Sequence, residues 1–159
     1  MRYFKFDEKF DLIIIPFRSF LHNLTYKDQI TTLRNIYEHF NDKGKLILNF
    51  FFPDYEFMCK NVGKVVENFE FHKDSKDYIV KAYNEHDPVN QIISYKQWIE
   101  EKERGKTIEK MHFTIRYIYK NEFELLLRLA GFSKWRVYGE FNYKPLKSKE
   151  QEMVWVVEK

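Results

Sequence analysis

The chain has 159 residues, 44% hydrophobic and 32% charged, enough for one domain with a real core and too apolar for a disordered segment. Its net charge of +3 is spread without a long basic run, which argues against nucleic-acid binding, and no apolar run is long enough to span a membrane. A single cysteine, Cys59, rules out an internal disulfide; with no signal-peptide core in "MRYFKFDEKF", the expected location is the reducing cytoplasm.

Taken in chain order, "RYFKF" is a short strand candidate, and Asp7 to Lys9 form a polar turn. Phe10 to Ile15 follows as a strand that is apolar on both faces, the pattern of a central parallel strand covered from both sides. In "TYKDQITTLRNIYEHF", Thr25 and Asp28 make a capping-box-like start, and Ile30, Leu33, Tyr37 and Phe40 recur at helical spacing. "NDKGK" predicts the helix end, with Gly44 in the left-handed position after it. "KLILNFFF" is a second buried strand, stopped by Pro53. Strand, helix and strand with short loops predict a right-handed crossover with two parallel strands.

From Val65 onward the pattern changes. "VVENFEFH", "KDYIVKAY", "VNQIISYKQWIE" and "KTIEKMHFTIRYIY" read as antiparallel strands; in the last, Met111, Phe113, Ile115, Tyr117 and Tyr119 alternate with His112, Thr114 and Arg116. A helix is predicted through "KNEFELLLRLAGF", with Phe123, Leu126, Leu127 and Ala130 as its stripe and Gly131 as its stop. "KWRVYGEF" and "EMVWVVE" are two final strands around a polar loop, "NYKPLKSKEQ".

The ordered set "FDLIIIPFRSFLHNL", helix, "KGKLILNFFFP", a helix ending "LAGF" and a terminal "MVWVVEK" resembles the C-terminal half of class I S-adenosylmethionine-dependent methyltransferases. The resemblance implies an α/β fold: a truncated Rossmann-like sheet of parallel strands with a final antiparallel hairpin, residues 1–53 and 117–159, and an antiparallel β insertion, residues 54–116. It implies S-adenosylmethionine as cofactor and methyl transfer to a small molecule. The alternative reading is a non-enzymatic dimerisation or small-ligand-binding module derived from such an enzyme.

The family's cofactor-binding half is missing from these residues. There are five glycines, no two spaced G-x-G, and only Met1 and Arg2 remain of the segment that lies near the adenine in the family. Cofactor contacts are therefore expected from Arg18, Ser19, Phe20 and His22, at the carboxyl end of a parallel strand where open sheets place ligands, and from Met1 and Arg2. Tyr95, Tyr117 and Tyr119 are candidates for a substrate pocket, against the plainer reading that aromatics at strand spacing are core. Ser19 with His22 lacks both a G-x-S-x-G elbow and a partner acid, so no nucleophile is assigned and the catalytic residues stay unknown. Asp54 and Glu56 fit a solvated loop better than a general base, and no histidine has metal-ligand spacing, so no metal is expected. Without the family's first strand, Phe10 to Ile15 becomes a sheet edge. That predicts a homodimer, or a complementing chain, with the edge at the interface.

Overall fold

The computed structural model describes residues 2–159, apart from the side chain of residue 57. The chain forms two compact units: the chain up to Asp54 together with Arg116–Lys159, and Tyr55–Ile115.

The first unit is built on a five-stranded sheet. In chain order its elements are β1 (Phe10–Ile15), a 3-10 turn (Ser19–His22), α1 (Tyr26–Glu38) and β2 (Phe40–Phe51). After the second unit come α3 (Lys120–Ala130), β7 (Lys134–Gly139), β8 (Lys144–Pro145) and β9 (Glu152–Glu158). The strand order is β1-β2-β9-β7-β8. β1 and β2 are parallel, Ile13 opposite Leu46 and Ile15 opposite Leu48, as a short helical crossover requires. β9 enters antiparallel between β2 and β7, giving the expected final hairpin.

The period-two alternation of these strands decides where the core lies. Leu46, Leu48 and Phe50 of β2 and Met153, Trp155 and Val157 of β9 are buried on one face, under α1 and α3. Phe123 of α3 is the hub of that core. Its ring stands edge-on to Phe20 at 5.5 Å, Phe50 at 5.1 Å and Trp155 at 4.8 Å. The stripe Phe123, Leu126, Leu127 and Ala130 is buried as the spacing predicts, and Gly131 takes φ 104°, the left-handed C-terminal stop.

Three local expectations are corrected. The segment "RYFKF" is not a strand: Asn35 Nδ2 donates to the carbonyls of Arg2 and Phe4, and the Phe6 N–H donates to His39 Nε2, so the segment is strapped to α1. Gly44 does not cap α1, which ends at Glu38 with His39 as its cap. It lies inside β2, where a Cβ would come within 2.5 Å of the Phe40 ring, so close packing, not a left-handed turn, requires glycine there. The polar loop before the last strand contains β8, which pairs Lys144 and Pro145 with β7.

The second unit comprises α2 (Tyr55–Cys59), β3 (Val65–Lys73), β4 (Lys76–Asp87) and β5 (Ile92–Glu101), with β6 (Lys106–Arg116) running to its boundary. Its strands form a four-stranded meander, β3-β4-β5-β6, with β3–β4 and β4–β5 antiparallel. Asp74 and Ser75 both have positive φ, as a tight two-residue hairpin between β3 and β4 demands. Tyr78, Ile79, Val80 and Ala82 of central β4 are buried. The ion pair Lys81–Glu100 at 2.9 Å links β4 to β5, and Lys102, just after β5, pairs with Glu70 of β3 at 2.7 Å.

Candidate functional site at the carboxyl end of β1

The chain leaves β1 through Pro16 into two consecutive left-handed residues, Phe17 (φ 55°) and Arg18 (φ 60°). Neither is a glycine, and each such residue costs on the order of 1–2 kcal/mol. What holds the turn is visible. The Ser19 N–H and Oγ both donate to the Pro16 carbonyl, at 3.1 and 2.7 Å. Arg18 grips Glu152 at the start of β9 with a two-pronged fork, Nε to Oε1 at 3.0 Å and Nη2 to Oε2 at 2.7 Å. Asn49 Nδ2 of β2 donates to the same Oε1 at 2.8 Å, and the guanidinium sits 5.3 Å over the Phe51 ring. The hydrogen bonds to Glu152 raise the Arg18 pKa further above its ordinary value, with partial burial opposing them.

A polar network braces the turn from beneath. Asn23 is buried: its Nδ2 donates to the Phe20 carbonyl at 2.9 Å and its Oδ1 accepts from Thr32 Oγ1 at 3.0 Å. Gln29 Nε2 donates to the Asn23 carbonyl at 3.0 Å, and Gln29 Oε1 accepts from Arg116 Nη1 at 3.0 Å. Arg116 Nη2 reaches Glu122 Oε1 at 2.7 Å in the first turn of α3. Buried polar side chains keep their place when paired in this way. Here the pairing ties the 3-10 turn to the starts of both helices.

The predicted contacts fall into distinct places. Arg18 and Ser19 line the turn, with the guanidinium and hydroxyl engaged as described. His22 is exposed at the end of the 3-10 turn. The Phe20 side chain is fully buried against Phe123, so its ring belongs to the core and only its backbone faces the turn. Arg2 forms an ion pair with Asp28 at 2.9 Å in the first turn of α1, the end of the helix that follows the loop. Met1 lies outside the described residues. Tyr117 is 2% exposed and meets Tyr119, which caps α3, edge-on at 5.8 Å; both lie beyond the end of β6, where the expected strand alternation has stopped. In the second unit, half-buried Tyr95 packs on Phe113 at 5.1 Å, and its hydroxyl accepts from Asn68 at 3.2 Å. Asp54 pairs with Lys149 at 2.9 Å. Among the described residues no cluster of three or more His, Cys, Asp or Glu is placed to hold a metal, and no helix is long and apolar enough to cross a membrane.

Sequence reasoning missed four participants. Phe17 is 90% exposed in its strained position. Asn49 and Glu152 anchor Arg18, and Asn23 anchors the turn. Asn49 had a signal, being the one polar residue within the apolar run "LILNFFF". Glu152 had none, because its partner is 134 positions away.

No protein-family model matches the chain, and no curated protein is significantly similar to it in sequence. Solved structures match it throughout. The CcbJ methyltransferase of Streptomyces caelestis superposes with a TM-score of 0.79 at 16% identity, over 98% of this chain and 60% of its own. An S-adenosylmethionine-dependent methyltransferase from Clostridium acetobutylicum gives 0.75 at 13% identity, over 99% and 61%. CalS10, an amino pentose methyltransferase of Micromonospora echinaspora solved with S-adenosylmethionine bound, gives 0.71 at 11%, over 99% and 61%. The fold is therefore a methyltransferase fold, and the chain spans about 60% of the length of the structures it matches.

Proposed function

We propose that the chain is part of an S-adenosylmethionine-dependent methyltransferase acting on a small molecule. The carrying observation is the whole-chain likeness: 98% of the residues match a methyltransferase at a TM-score of 0.79, and 99% match an S-adenosylmethionine-dependent methyltransferase at 0.75, so the match takes in residues of both units and not the sheet alone. A fold by itself hosts many activities. The second support is local: a strained turn, held by a fork and a buried network, stands at the carboxyl end of a parallel strand, where open sheets bind ligands. In methyl transfer the sulfonium supplies an activated methyl group, and the protein holds it in line with the acceptor atom. The Pro16–Arg18 turn forms one wall of the cofactor site in this reading. The likeness to an amino pentose methyltransferase supports a small polar acceptor.

The test is an amide chemical-shift titration of the chain with S-adenosylmethionine, with ATP as a control that shares only the adenosine. Because the glycine-rich turn and ribose-binding carboxylate are missing from these residues, the expected dissociation constant is in the millimolar range, about −4 kcal/mol. Shifts should concentrate at Phe17 to Asn23 and be absent with ATP. Shifts elsewhere, equal shifts with ATP, or none at about 10 mM, where a millimolar site is mostly filled, would overturn the assignment.

A further inference from the structure

The Phe17 ring stands 90% exposed, and among the described residues it has no ring, cation or hydrogen-bond partner. The two residues after it are engaged. The Arg18 guanidinium is forked onto Glu152 and lies 5.3 Å over the Phe51 ring, and the Ser19 hydroxyl donates to the Pro16 carbonyl. A phenylalanine in solvent contributes no burial, and this one also sits on left-handed backbone, φ 55°. The backbone around it is nevertheless fastened, by Ser19 to Pro16 and by Arg18 to Glu152, so the ring is held where it is presented. Strain at a residue that packs against nothing points to a contact with a ligand. The turn is also electrically balanced. The charge of Arg18 is met by Glu152, whose oxygens accept from Arg18 and Asn49, so a cation approaching the Phe17 ring meets a paired arginine and not a free one.

We infer that the Phe17 ring is the cation platform of the site, its π-face holding the positively charged sulfonium of S-adenosylmethionine. The inference rests on the methyltransferase reading above and deepens it, by assigning the residue that recognises the charge. The same attraction is present beside it, where Arg18 lies over Phe51; that ring is taken, and the ring of Phe17 is open. An aromatic face serves an activated methyl donor better than a carboxylate does. Its quadrupole attracts the positive charge, whereas a carboxylate oxygen offers a lone pair that the methyl group can alkylate. The carboxylate at this turn, Glu152, is covered by three hydrogen bonds from Arg18 and Asn49. Phenylalanine, unlike tyrosine, carries no hydroxyl to be methylated. S-adenosylhomocysteine, the same molecule without the methyl group, is a neutral thioether and loses the contact. The platform therefore distinguishes the charged cofactor from the spent one.

The test compares two probes that lack adenosine: S-methylmethionine, a sulfonium, and methionine, the matching neutral thioether. Each is titrated into the chain and followed through the amide signals of Phe17 to Ser19. The sulfonium should bind about two- to fivefold more tightly than the thioether. Phe17→Leu should bring the two dissociation constants together, and Phe17→Trp, a stronger platform, should widen the gap. Because the ring is exposed, both variants should melt within about 3 °C of the unaltered chain. Equal affinity for the two probes in the unaltered chain, no shift with the sulfonium at about 0.1 M, or a sulfonium preference that survives Phe17→Leu overturns the assignment. The response to S-adenosylmethionine is scored separately. A sulfonium preference at Phe17 in a chain whose turn ignores S-adenosylmethionine sinks the methyltransferase reading and leaves the platform to a smaller cation. Turn shifts that are as large with S-adenosylhomocysteine as with S-adenosylmethionine, and unchanged in Phe17→Leu, do the reverse.

Discussion

Replacing Glu152 with Ala should loosen the candidate site far more than it unfolds the protein. The Glu152 side chain is 12% exposed and receives three hydrogen bonds, two from Arg18 and one from Asn49. Arg18 is 52% exposed, so solvent screens its charge and the fork is worth about 1–2 kcal/mol, not the larger figure of a buried pair. Opposing that is the strain of two left-handed non-glycine residues, on the order of 1–2 kcal/mol each. The strain totals about 2–4 kcal/mol, more than the fork alone, so losing the fork lets the turn relax and recovers part of the loss. Chemical denaturation should show a global drop of about 1 kcal/mol or less, and a double-mutant cycle of Arg18→Ala with Glu152→Ala a coupling of about 1 kcal/mol. Amide exchange gives the sharper readout. The Ser19 and Leu21 N–H groups, which donate to Pro16 and Arg18, should lose protection while Leu33 and Phe50 keep theirs. A coupling below about 0.3 kcal/mol, within the scatter of independent sites, together with unchanged exchange at Ser19, would refute the claim that the fork holds the turn.

Two further outcomes follow from other parts of the first unit. Phe123→Ala empties the aromatic hub beneath the turn and should cost about 3–5 kcal/mol, shown as a lower urea midpoint; a cost under about 1 kcal/mol would mean that the rings around it are not packed as described. The strap before β1 should release in acid: the hydrogen bond from Arg2 and then that from the Thr25 hydroxyl hold the Asp28 carboxyl below its ordinary 3.8, so its contribution is full above that pH and fades as pH falls through the lower folded value. Amide signals of Tyr3 to Phe6 should therefore shift together below pH 3.8 and do so without acid in Asp28→Asn; an Asp28 that titrates at or above 3.8 in the folded chain contradicts the pairing.

The parts of the fold that were readable in the sequence are those fixed by near neighbours. β1, the parallel β2 and the stripe of α3 depend on periodicity and on stops such as Pro16 and Gly131, all local. α1 shows the limit. Its spacing suggested Ile30, Leu33, Tyr37 and Phe40 as the buried stripe, yet Gln29, Thr32, Leu33 and Ile36 are the residues buried, and Phe40 already belongs to β2. Two polar side chains lie inside because Asn23 and Arg116 meet their hydrogen-bonding needs, a pairing across 87 positions that no periodicity encodes. Gly44 was misread for the same reason, since the demand on it comes from the ring of Phe40 and not from a helix end.

The candidate site divides along the same line, and that division bears on function. Its position could be read from strand order, because the carboxyl end of a parallel strand is a ligand position whatever the side chains are. Its side-chain roles could not. Phe20, an expected cofactor contact, is buried by Phe123; Arg18, another, is held by Glu152; Phe17, not among the expected contacts, is the exposed one. A turn in which the charge is tethered, the neighbouring ring is buried and a third side chain stands in solvent on strained backbone is more constrained than a connection between a strand and a helix requires. A connection relaxes to the commonest conformation its residues allow. This one is held away from it by side chains from β2, which ends beside it, and β9, which begins there. The constraint comes from the sheet, through Asn49 of β2 and Glu152 of β9.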